Sequence, residues 1–206
     1  MDKALIESTG LIWHKRRAYA AYSVMKALYQ ESKKFCILLG TAKEYELSNA
    51  YSGYNYIISW FPEFKDLISP DWPDYEIVQK FNYGQNGEYT LISSVNDSML
   101  LAVALAFCSA LPWHTFLFSD LPDNTWLEKF LQDLYQNNNL TSVTLKHWQT
   151  LLNNFKFSSF ALLPDWDIFA DILLISKNEK LFNTLMATEP NLNRWKSVTM
   201  DMFTPD

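Results

Sequence analysis

Glycine is scarce in this chain, with 5 of 206 residues (Gly10, Gly40, Gly53, Gly84 and Gly87), below the usual share of about 7%. They are too scattered to build a glycine-rich phosphate loop, which disfavours a nucleotide-binding motif of that kind. Cysteine is scarcer still. Cys36 and Cys108 both sit in apolar surroundings, where a thiol acts as a small hydrophobe; together they are no secreted disulfide framework, and a reducing compartment is expected. The longest uncharged apolar run, Met99 to Leu111, has 13 residues, short of the 18 or so a membrane span requires. The first residues, Met1 to Leu11, carry Asp2, Lys3 and Glu7 and lack the apolar stretch and small-residue cleavage site of a signal peptide. No membrane association and a cytoplasmic location are the expectation.

What is present is apolar material: 49% of the residues are hydrophobic and 16% aromatic, with 19% charged, enough for a sizeable core and too much for a disordered chain. The net charge of -6 conceals a division along the chain. Residues 1–43 hold 8 cations against 3 anions, residues 44–139 hold 3 against 13, and residues 140–206 hold 6 against 7. Such asymmetry informs about partners rather than fold.

The basic segment reads as a helix from about Ile12 to Lys34, since Ala18, Tyr22, Met25 and Tyr29 recur at helical intervals with Ala21 and Leu28 beside them. Lys15, Lys26 and Lys33 align away from that stripe, flanked by Arg16 and Lys34, as a solvated face whose cations keep the helix soluble or pair with acids elsewhere. Nucleic-acid binding would use the same face, but the pI near 5.1 disfavours it.

The densest acidic cluster is Glu63, Asp66, Asp71, Asp74 and Glu76, interleaved with Trp60, Phe61, Phe64, Trp72 and Tyr75 and punctuated by Pro62, Pro70 and Pro73. Three prolines predict an irregular loop rather than a long helix. Aromatic side chains supply anchoring area and carboxylates steer a basic partner, so the cluster has the composition of an interface; the competing reading is a loop that caps the core.

Along the chain, Phe35 to Leu39 fits either a continued helix or a strand, and Tyr54 to Phe61 reads as a strand. Glu76 to Tyr83 and Glu88 to Val95, separated by Gly84, Gln85, Asn86 and Gly87, read as a hairpin with a four-residue loop. Asn96, Asp97 and Ser98 can cap a buried central helix over about 97–111, which Pro112 stops. Asp123 or Asn124 opens an amphipathic helix with Trp126, Leu127, Phe130, Leu131 and Leu134 on one face, and another helix is expected from Val143 to Asn154. Phe157 to Leu163 and Ile168 to Ser176 read as strands, the second interior to a sheet; Glu179 to Thr188 reads as a helix, and Arg194, Trp195 and Lys196 as part of a polar tail. The expected fold is a single α+β domain over 1–206, with a mixed or antiparallel sheet packed against several helices. Pro-Asp-Trp recurs at Pro70 to Trp72 and Pro164 to Trp166, but the flanking residues do not match and no repeat follows.

Catalytic signatures are weak. His14, His114 and His147 each neighbour a tryptophan but lie more than 30 residues apart, without the short spacing of a metal motif. Neither cysteine has the activated setting a nucleophile needs, and no G-x-S-x-G elbow occurs. Asp165 and Asp167 around Trp166, and Asp120 with Asp123, could serve as paired carboxylates but are better explained as turn formers and helix caps. No catalytic residue, metal or cofactor is assigned. The expected function is a cytoplasmic protein that binds a basic protein partner through Glu63, Asp66, Asp71, Trp72, Asp74, Tyr75 and Glu76, as an inhibitor or immunity protein neutralising a basic toxin or enzyme. The alternative is a hydrolase of unrecognised type, its carboxylates and a histidine assembled by the fold.

Overall fold

The computed structural model describes residues 3–7, 13–42, 76–83, 87–93, 96, 100, 115–136, 159–163, 172–176, 178–187 and 195–199. These hold eight strands and three helices: β1 (Lys3–Glu7), α1 (Trp13–Glu31), β2 (Cys36–Ala42), β3 (Glu76–Tyr83), β4 (Gly87–Ser93), β5 (Thr115–Phe118), α2 (Asn124–Gln136), β6 (Ser159–Leu163), β7 (Ile172–Ser176), α3 (Glu179–Ala187) and β8 (Trp195–Thr199). The strands form one sheet in the order β3-β4-β2-β5-β6-β7-β1-β8. Every neighbouring pair is antiparallel, so the architecture is α+β and the sheet is not mixed.

Alternation along the strands divides the sheet into two faces. Phe116 and Phe118 of β5 share one face with Phe160 of β6 and Tyr89 of β4. Their rings meet Trp126 and Phe130 of α2, with Phe116 and Phe130 5.1 Å apart edge to face and Phe118 and Trp126 at 6.3 Å. The opposite face carries Leu117, Ser159 and Ala161 and is covered by α1, which also packs on α3. Helices on both faces explain why TFLF of β5 and SFALL of β6 are buried at every position and apolar almost throughout.

Helix α1 buries Ala20, Ala21, Val24, Met25, Ala27 and Leu28, whereas Tyr22 and Tyr29 are only half-buried. The core stripe is therefore rotated from the expected centre. Tyrosine tolerates this flank position because its ring covers apolar neighbours while its hydroxyl reaches outward, and Tyr22 Oη accepts a hydrogen bond from Lys26 Nζ at 3.3 Å. The helix stops at Glu31, where Ser32 Oγ accepts the Lys34 N–H at 3.1 Å, a local alternative to another helical turn. The chain then enters β2, which settles the ambiguity of Phe35 to Leu39 in favour of a strand from Cys36.

The hairpin is present, but Gly87 belongs to β4 and pairs with Tyr83, leaving residues 84–86 as the connection. Asp123 caps α2 as expected, its Oδ1 accepting the Trp126 N–H at 3.1 Å. The expected polar tail is corrected: Trp195 to Thr199 is β8, held at the sheet edge by β1, whose backbone supplies the order that the local sequence does not. Strands β1 and β5 were not anticipated, being too short and, for β1, charged at both ends. Of the expected helix over about 97–111, Leu100 is helical and buried and its N–H bonds the Asn96 carbonyl at 3.0 Å; the rest lies outside the described residues, as do Tyr54 to Phe61 and Val143 to Asn154.

Candidate interaction surface

The register places the starts of β2, β3 and β6 and the ends of β4, β5 and β7 at one end of the sheet. Glu76, the last residue of the acidic run, stands there as the first residue of β3, exposed, and its Oε2 accepts a hydrogen bond from Ser93 Oγ at 3.5 Å. Ile77 and Val78 follow it, 45% and 39% exposed. Val78 occupies a bulge between the paired positions Ile77 and Gln79. Among the described residues β3 has a neighbouring strand on one side only, and bulges are common at such edges. Further along β3, Lys80 Nζ lies 2.8 Å from Glu88 Oε1, so this cation is already paired across the hairpin.

Leu121, 48% exposed, is at the same end, beyond β5 and three strand spacings from β3, or about 14 Å. Its turn is firmly set. Asp120 Oδ1 accepts the Leu121 N–H at 2.9 Å, Pro122 is buried, and Asp123 caps the helix that follows. Lys34 Nζ stands 3.8 Å from Asp120 Oδ1 with both side chains largely exposed, an ion pair of little energetic weight.

On β6 and β7, across β5 from the β3 edge, lies a largely buried polar clasp that the sequence did not suggest. Ser159 Oγ is 2.6 Å from Glu31 Oε2 and 2.6 Å from Ser176 Oγ, and Asn178 Nδ2 donates to Glu31 Oε1 at 3.1 Å. A carboxylate only accepts and a serine has one proton, so Ser159 donates to Glu31 and Ser176 donates to Ser159. Ser176 Oγ accepts the Asn178 N–H at 2.9 Å, closing the ring, while Asn178 Oδ1 caps α3 through the Lys180 N–H at 3.0 Å. Ser119 joins the clasp from the end of β5, its Oγ accepting the Ser159 N–H at 3.1 Å. Ser159 and Ser176 are both 2% exposed and bonded to each other, the geometry of an anchor between α1, β6, β7 and α3 rather than of an accessible nucleophile. Its one legible trace is Asn178 ahead of Glu179, a cap signal; Glu31, the lone acid among the cations of α1, could have prompted the search for a partner.

Cys36 is buried and unpaired in a disulfide, with its Sγ 3.7 Å from the Asp120 carbonyl oxygen. Burial pushes the thiol far above its ordinary range, and the Asp120 carboxylate adds to the shift, so Cys36 stays protonated and inert, as its apolar run predicts. Lys26 lies 5.4 Å from the Tyr22 ring centroid, and Lys33 is exposed.

Of the expected partner-binding residues, only Glu76 is described; Glu63, Asp66, Asp71, Trp72, Asp74 and Tyr75 lie outside the described residues. Cys108, His114, His147, Asp165 and Asp167 do so as well, and nothing is described of the side chains of His14, Lys15 and Arg16 in α1. Among the described residues no three His, Cys, Asp or Glu side chains gather as metal ligands, and no helix is long and apolar enough to cross a membrane. No family model, curated protein or solved structure matches the chain.

Proposed function

We propose that this chain is a cytoplasmic protein-binding protein of a single domain that engages a basic protein partner, in the manner of an inhibitor or immunity protein that blocks a toxin or enzyme. The observation that supports this reading most is the end of the acidic run: Glu76 is exposed at the start of an edge strand, directly followed by the exposed pair Ile77 and Val78. Glu63, Asp66, Asp71, Asp74 and Glu76 raise the encounter rate with a cationic surface, and Trp72 and Tyr75 supply the desolvated anchors that hold it. The buried thiol of Cys36 fits a reducing compartment.

Affinity purification of the tagged chain from its source cells, at low and high salt and alongside the variant Asp71→Lys/Asp74→Lys/Glu76→Lys, tests the proposal. One stoichiometric basic protein is expected at low salt, lost both at high salt and from the variant. A partner retained equally by the variant would overturn the assignment of this surface, and an acidic partner would overturn the electrostatic account.

A further inference from the structure

We draw no further inference here: the strongest candidate, the exposed Ile77 and Val78 patch on edge strand β3, belongs to the surface already described, and nothing in the structure shows what covers it, since the bulge at Val78 turns Glu76 and Lys80 to opposite faces and denies a second copy of the strand a cross-strand charge match.

Discussion

Strands β5 and β3 belong to one sheet but present opposite solutions to the same backbone. β5 lies in the interior, buried at all four positions between α2 on one face and α1 on the other. Among the described residues β3 is an edge, and from Glu76 to Asn82 only Phe81 is buried. The first pattern is what a doubly covered strand requires, and the second what a strand needs when water or a partner is its neighbour. Apolar burial is thus concentrated in the middle of the sheet and is low at the edge where the acidic run arrives.

The contrast breaks most severely at Phe116. Its ring meets those of Tyr89, Phe130 and Phe160, and Phe116→Ala should cost about 3–5 kcal/mol in chemical denaturation, because the rigid surroundings cannot collapse into the space left. A smaller loss follows from Glu31→Ala, about 2 kcal/mol, since Ser159 and Asn178 each lose an acceptor inside the clasp. Glu31→Gln should cost less, about 1 kcal/mol: Gln Oε1 can still accept from Asn178, but Nε2 cannot accept the Ser159 proton. A Glu31→Gln variant as stable as the wild-type chain would refute the directed ring.

Cys36 sharpens the comparison through pH. Its folded value lies above the ordinary 9.0, so its contribution to stability is complete below that pH and declines as the unfolded thiol ionises above it. The wild-type chain should lose about 1 kcal/mol more than Cys36→Ala between pH 9 and 10. Parallel pH profiles for the two proteins would contradict the buried, protonated thiol. The smallest effect belongs to the edge: Ile77→Ser should change stability by no more than about 0.5 kcal/mol, and a loss comparable to that of Phe116→Ala would show that β3 is part of the core.

Elements with a periodic pattern of sufficient length were legible in the sequence. The stripe of Trp126, Leu127, Phe130 and Leu131 and the cap at Asp123 define α2, and the hairpin follows from two alternating runs flanking Gly84. Strands β1, β5 and β8 were not legible because each is short and lacks the longer apolar run, Phe157 to Leu163 or Ile168 to Ser176, that marked β6 and β7, and their order is set by pairing with distant strands such as β7 with β1. The clasp escaped for a related reason. Glu31 and Ser159 are 128 residues apart, and only sheet register brings Ser159 beside Ser176. For the candidate surface, charge along the chain was readable, whereas the exposure of Ile77 and Val78 depends on β3 being an edge.

The most direct test of this account is the association rate of the purified partner, measured across ionic strength for the wild-type chain and for Asp71→Lys/Asp74→Lys/Glu76→Lys, with denaturation curves for both. The prediction is an unchanged denaturation midpoint, an association rate at least about tenfold lower at low salt, and a flattened salt dependence in the variant. Identical rates and salt slopes for two equally stable proteins would contradict it, and would move the binding surface away from the β3 end of the sheet.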